Sequence, residues 1–206
     1  MGKHDSCNCS HSHGHDKQAG SVLRWSLTLT FIGLSFIVMR PFIVKQLLSR
    51  ASSYMTCELF NDAVRSYKKA VFIDKKNVMA WDMLGYGYKN SSDLKNSIYA
   101  YSQALKADSK DKSANFSLGV IKASQKEYKE AIPYFEQIRA LGPEERGPMM
   151  VDIVSYHKSS LKLLVSCYEA LKEFDKRDRA LEELRRYYPE DNMILDRTKP
   201  ARPLKQ

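Results

Sequence analysis

A self-similarity with a period of 34 residues is the feature that most constrains this chain. Periods of this length are typical of helical repeat arrays, in which each unit buries its apolar face against its neighbours. Three repeat windows follow one another, and a fourth follows after an insertion of 12 residues. The windows are 44–77, 78–111, 112–145 and 158–191, and the insertion is 146–157.

Small and large residues recur at equivalent places in these windows. Leu84 and Gly85 on the first helix of one window are repeated by Leu118 and Gly119 in the next. The second-helix positions are Ala63, Tyr67 and Ala70, then Ser97, Tyr101 and Ala104, then Ala131, Phe135 and Ile138. Two helices of a pair pack closely only where a small residue on one admits a large residue from the other. The spacing therefore predicts core packing rather than catalysis, with Tyr101 on Gly85 and Phe135 on Gly119.

The pattern formed by these residues resembles the tetratricopeptide repeat family over roughly residues 44–191. The resemblance implies an all-α fold, a right-handed α-solenoid of about four helix pairs, which here follows one transmembrane helix and a disordered N-terminal tail. It also implies that the first helix of each pair faces a concave groove. Proteins of this family bind protein partners, so the resemblance favours an adaptor over an enzyme.

By the same resemblance, certain first-helix positions point into the groove. The candidate partner-binding residues are Leu48, Met55, Met79, Asp82, Tyr86, Lys89, Phe116 and Val120. An apolar and aromatic surface with a few polar points suits an extended or helical peptide that carries one or two large apolar side chains. The alternative is that Met79, Tyr86 and Phe116 pack against neighbouring helices.

A membrane anchor is predicted over residues 21–43. The stretch from Trp25 to Met39 is apolar, and Arg24 and Arg40 bound it. It is short for a bilayer span, but flanking arginines that extend towards the interface lengthen it. A cleaved signal peptide and a buried core helix are the alternatives. Basic residues balance on the two sides of the span, so the positive-inside rule does not set an orientation.

Histidine and cysteine are concentrated in the N-terminal tail, 1–20. The candidate metal ligands are His4, Cys7, Cys9, His11, His13 and His15. Imidazole and thiolate donors together favour zinc, nickel or copper, although the spacing matches no standard structural zinc site. A solvated tail that binds a metal only in vitro is the alternative, and no other cofactor is expected. Cys57 and Cys167 lie in helical patterns, so no disulfide framework is indicated.

Two segments depart from the repeat. The insertion carries no helix breaker after Pro148, so one long helix is predicted over residues 148–171. After Asp191 the chain offers only NMILD and a basic tail, and the segment 192–206 contains no amphipathic helix that would cover the last repeat. Either Met193, Ile194 and Leu195 form a minimal lid, or a partner covers that end.

Charge and motifs narrow the functional classes. The net charge of +9 is spread along the chain, which suits anionic lipid headgroups and gives no basic patch interleaved with aromatics for nucleic acid. No nucleophile with a spaced base and no glycine-rich phosphate loop is present, so no enzyme is predicted. The sequence favours a single-pass membrane scaffold that binds a protein or peptide and supports a membrane complex. A metal-handling protein and a self-assembling coat, hence a homo-oligomer, are the alternatives.

Overall fold

The structure is a computed structural model. It describes the backbone of residues 16–143 and 155–191, and the side chains of those residues from Ser35 onward except Phe36. The chain divides into two compact units, Met1–Lys45 and Gln46–Gln206, and each is described by itself.

The described part of the first unit is helical. Helix α1 (Asp16–Thr56) begins inside the predicted tail, so residues 16–20 are helical, contrary to the sequence prediction. Adding a residue to a helix that has already formed costs little, which is why a long apolar helix extends into its polar flank. Within this unit the side chains of Ile37, Val38, Met39 and Phe42 are exposed.

The predicted membrane span, 21–43, falls mostly on residues 1–34 and 36, whose side chains lie outside the described part of the chain. Among the residues whose side chains are described, no helix has both the length and the apolarity needed to cross a bilayer.

The second unit is a series of helices in pairs. After the C-terminal part of α1 these are α2 (Phe60–Ile73), α3 (Val78–Asn90), α4 (Leu94–Ala107), α5 (Lys112–Ser124), α6 (Tyr128–Leu141), α7 (Tyr156–Ala170) and α8 (Phe174–Tyr187). Each helix packs on the next along the chain from α2 to α8, and α5 also contacts α7. In the described residues all secondary structure is helical, which confirms the predicted all-α solenoid.

The turn inside each pair has the same geometry four times. Glu58, Ser92, Lys126 and Lys172 all have φ between 59° and 63°, in the left-handed region. In the second pair, the Ser92 N–H donates to the Lys89 carbonyl and the Asp93 N–H donates to the Tyr88 carbonyl, which is the Schellman arrangement. The first three of these turn residues are 34 positions apart, so the backbone repeats with the sequence period.

Glycine allows the two helices of a pair to approach closely. A Cβ atom on Gly85 would lie 2.8 Å from the Tyr101 ring, and one on Gly119 would lie 2.6 Å from the Phe135 ring. Both rings are almost fully buried. The Ser97 hydroxyl also donates to the Gly85 carbonyl over 2.9 Å across the same contact. The predicted pairing of large rings with glycines is therefore confirmed.

Two side chains at equivalent repeat positions, 34 residues apart, hydrogen-bond to the loops that connect successive helix pairs. The Trp81 indole N–H donates to the Lys75 carbonyl over 2.8 Å, and Asn115 donates to the Ser109 carbonyl over 3.0 Å. In both cases the donor reaches six residues back, to the loop that precedes its own helix. Side-chain N-caps at Asn77 and Asp111 then begin α3 and α5. These bonds hold successive pairs at a constant offset.

The fourth pair differs from the prediction at its start. Helix α7 begins at Tyr156, because Ser155 has an extended backbone and its hydroxyl caps the N–H of Lys158 over 3.1 Å. A single continuous helix over 148–171 was therefore wrong, and the missed signal was a serine N-cap. Residues 148–154, where that helix was predicted to begin, lie outside the described residues.

The last helix supplies its own polar outer face. Only Ala180 and Leu184 of α8 are buried, and most of its other residues are charged. Asp191 is buried beyond the end of α8 and forms ion pairs with Lys158 at 2.9 Å and Lys162 at 3.2 Å. A polar outer face of this kind is what the end of a solenoid usually requires. Met193, Ile194 and Leu195 lie outside the described residues.

Candidate functional site

The candidate site is the side of the second unit that is lined by its first helices, called here the groove surface. It is formed by α3, α5 and α7 together with the C-terminal turns of α1. The Ser113 hydroxyl on α5 donates to the Asp82 carboxylate on α3 over 2.9 Å, so two successive first helices are joined directly on this side. This contact places the predicted groove positions of neighbouring repeats beside one another.

The predicted groove residues have three different environments. Met79, Tyr86 and Lys89 are exposed, with 62% of Met79 and 47% of Tyr86 accessible to solvent. Leu48, Met55, Phe116 and Val120 are half-buried, and Asp82 is buried. Free contact area at this surface is therefore supplied chiefly by Met79 and Tyr86.

Phe116 belongs as much to the core as to the groove surface. Its ring lies 6.2 Å from the ring of Phe135, edge to face, and 5.5 Å from the ring of Tyr156. Val120 packs on the same buried cluster between α6 and α7. For Phe116, the interpretation that it packs against neighbouring helices therefore describes most of its contacts.

An open cleft lies at the end of the groove surface between the first two pairs. It has a volume of about 390 Å³ and is lined by Ser52, Met55, Thr56, Glu58, Phe60, Tyr86 and Asn90. Two of these residues, Met55 and Tyr86, are predicted groove residues. Clefts of a few hundred cubic ångströms accept a single side chain or a short peptide turn. Phe60 and Asn90 were not predicted, because they stand outside the first-helix positions that the resemblance indicates.

Asp82 is the most unusual group of this surface. Only 6% of the residue is exposed, and its Oδ1 atom has no hydrogen-bond partner, whereas Oδ2 accepts the Ser113 hydroxyl. Burial raises the pKa of the Asp82 carboxyl to about 6; the Ser113 bond lowers it and the charge of Asp111 raises it. An ionised group held in this way destabilises the free protein unless something outside the chain donates to it.

Asp82 is close enough to a buried tyrosine hydroxyl to act on it electrostatically. The Tyr101 hydroxyl is hydrogen-bonded to Ser117, and its electrostatic surroundings include Asp82, Tyr86 and Tyr156. These groups come from α3, α4, α5 and α7, so the second, third and fourth pairs all contribute here. Tyr156 was missed from the sequence, because it falls in the insertion and has no counterpart in the 34-residue register.

A second polar cluster joins the last three helices away from these groups. Arg139 donates to Glu183 over 2.6 Å, and the Tyr168 hydroxyl donates to Glu136 over 2.8 Å. His157 is fully buried, with Nδ1 3.1 Å from the Tyr188 hydroxyl. His157 is thus a packing residue that ties α7 to the residue that follows α8.

The predicted metal ligands, His4, Cys7, Cys9, His11, His13 and His15, all lie outside the described residues. Among the side chains that the structure describes, no group of three or more His, Cys, Asp or Glu is arranged to hold a metal ion. The tail as a metal site stays a prediction.

Comparison with known proteins supports the repeat assignment. Residues 113–138 match the family model described as Tetratricopeptide repeat. The matched segment runs through α5 and most of α6, the pair that contains Gly119 and Phe135. Among curated proteins, none matches the sequence.

Solved structures of the same fold cover most of the chain. The crystal structure of MamA is 24% identical over 70% of this chain and 81% of its own, with a TM-score of 0.53. MamA 41-end from Desulfovibrio magneticus RS-1 is 18% identical over 72% and 77%, with a TM-score of 0.59. PilW, described as a widely conserved type IV pilus biogenesis factor, is 18% identical over 71% and 63%, with a TM-score of 0.55. At these identities the likeness shows the fold, a stack of tetratricopeptide-type helix pairs.

Proposed function

We propose that this protein is a membrane-anchored adaptor whose groove surface binds a peptide or protein partner and so supports the assembly or retention of a membrane complex. The observation that carries the proposal is the exposure of Met79 and Tyr86 on a surface that the folded helix pairs hold in place. Large apolar and aromatic side chains of this kind supply most of the energy of protein interfaces. A preformed surface also lowers the conformational cost of binding.

Three further observations support the same function. Helical repeat folds of the kind matched here serve in general as protein-interaction modules rather than as enzymes. One of the similar structures, PilW, is described as a widely conserved type IV pilus biogenesis factor. For the anchor, Ile37, Val38, Met39 and Phe42 present exposed apolar side chains at one end of the predicted span. An anchor would raise the concentration of the groove near membrane partners.

A double substitution at the groove surface tests this function. The change Met79→Ser with Tyr86→Ser is expected to reduce partner recovery by about tenfold or more, because it removes the two exposed apolar anchors and leaves the core intact. The full chain is purified from membranes washed in alkaline carbonate, and co-purifying proteins are quantified. Retention of the chain in the washed membranes tests the anchor in the same preparation.

The matched control is Phe72→Ser with Tyr99→Ser, which removes two apolar residues from second helices that are still more exposed, at 80% and 57%. This control is expected to recover partners as the native protein does. Equal losses in both variants would assign binding to the other side of the stack. Recovery of the chain itself as the main partner would favour the self-assembling coat.

A further inference from the structure

We propose that Asp82 is the specificity-determining residue of the groove surface and that its Oδ1 atom accepts a hydrogen bond from a lysine or arginine side chain of the bound peptide. This inference rests on the proposed function, because it names the chemistry of the partner that the groove surface takes. It assigns to the partner a basic side chain that enters between the second and third helix pairs.

The Asp82 carboxylate belongs to the groove surface, and only one of its two oxygen atoms has a hydrogen-bond partner. Ser113 supplies one donor, to Oδ2, and fixes the orientation of the group. Oδ1 has no partner, although more than nine-tenths of the residue is buried. An ionised carboxylate is an acceptor only, with room for several donors, so the unmet need is for N–H or O–H groups. A chain bound on the groove surface would bring such a donor, and because Oδ1 is itself buried in the free protein, neighbouring side chains must move aside for the donor to reach it.

The charges around Asp82 favour a cation over a neutral donor. Among the described residues, the charged neighbour that acts on this carboxylate is Asp111, which is also acidic. The site therefore has uncompensated negative charge, and an anionic ligand would be repelled. Because burial already disfavours the charged carboxylate, an entering ammonium or guanidinium group would offset a cost that the free protein bears.

Aromatic rings beside the carboxylate suit the same ligand. Tyr86 is on the same helix as Asp82, one turn away, and is exposed. Asp82 and Tyr156 both act electrostatically on the Tyr101 hydroxyl. The Tyr156 ring is stacked at a tilt on Phe116, 5.5 Å away. Ring faces attract cations, and they also pack well on the methylene stem of lysine or arginine. A charge acceptor with an exposed aromatic residue one helical turn away thus matches one long basic side chain.

A coupling measurement tests the assignment. The probe is a random 12-residue peptide library on phage, panned against the full chain in detergent micelles. Peptides selected by the native protein are expected to share one lysine or arginine. Affinity should fall about tenfold or more when that residue is replaced by norleucine, and by a similar factor when Asp82→Asn is introduced. The two changes together should cost no more than either alone, because both remove one contact.

Two further variants separate the loss of this contact from a general loss of charge or of folding. Asp62→Asn, on α2 where the carboxylate pairs with Arg65 at 3.4 Å, should leave every affinity unchanged. If Asp82→Asn fails to fold, Ser113→Ala keeps the carboxylate and is expected to retain the preference for a basic residue. Peptides that bind without a shared basic residue, or additive effects in the cycle, would overturn the assignment of Asp82 alone. Selection of no peptide at all would instead remove the proposed function.

Discussion

Replacing Phe135 with alanine is expected to lower the free energy of unfolding by about 3–5 kcal/mol, because the ring is fully buried between α5, α6 and α7. Gly119→Ala is expected to cost about 2 kcal/mol although alanine is the better helix former. The added methyl group would lie 2.6 Å from the Phe135 ring, which cannot move into free space. Urea unfolding of the full chain in detergent, followed by far-ultraviolet circular dichroism, measures both.

The double variant, Gly119→Ala with Phe135→Ala, tests this contact more directly than either single variant. With Phe135→Ala in place the methyl group at position 119 has room, so Gly119→Ala should become neutral or slightly stabilising. The coupling energy of the cycle is expected to be about 2 kcal/mol. Gly87→Ala is the control, because its added methyl would lie nearest to a Val64 methyl group at 3.0 Å and to the Met55 sulfur at 3.9 Å, and not to the Phe135 ring. Additive effects at 119 and 135 would show that the ring does not rest on the glycine.

Asp82→Asn is expected to change how stability depends on pH. The folded pKa of about 6 lies above the ordinary value of 3.8, so the folded protein binds this proton more tightly than the unfolded chain does. The contribution of Asp82 to stability is therefore complete below pH 4 and is lost as pH rises through about 6. A pKa displacement of this size corresponds to about 3 kcal/mol.

The measurement compares unfolding of the native protein and the variant between pH 4 and pH 7.5. The stability of Asp82→Asn relative to the native chain should rise by up to about 3 kcal/mol over this range, because the variant lacks the titrating group. Ser113→Ala is a further control, because it removes the hydrogen bond that lowers the pKa of the Asp82 carboxyl. In this variant the loss of stability seen with the native chain should therefore occur at higher pH. Parallel curves for the native chain and Asp82→Asn would contradict the burial of an ionised carboxylate.

The repeat and its core could be predicted from the sequence because they depend on local volume. Glycine opposite a large ring recurs with the period, and the fold confirms the pairs of Gly85 with Tyr101 and Gly119 with Phe135. The four turns could not be identified in this way. Their left-handed positions carry Glu58, Ser92, Lys126 and Lys172, none of which signals a positive φ as glycine would.

The candidate site was predicted less completely, because the environment of a side chain depends on the neighbouring repeat. Phe116 stands at a groove position of the 34-residue repeat, yet its ring packs against the buried cluster that contains Phe135. Asp82 was predicted as a polar fixing point, and its burial follows from the approach of Ser113 on the next first helix. Tyr156 joins the site only because the chain returns to the stack after an insertion that breaks the register.

The central claim is that the partner binds on the first-helix side of the stack. A photoreactive benzoylphenylalanine placed singly at Tyr86, Phe72 or Tyr99, each in the full chain, tests it in intact membranes. The account predicts a crosslinked partner from position 86 and none from positions 72 and 99, which are exposed on second helices. A partner captured from position 72 or 99, with nothing captured from position 86, would contradict it.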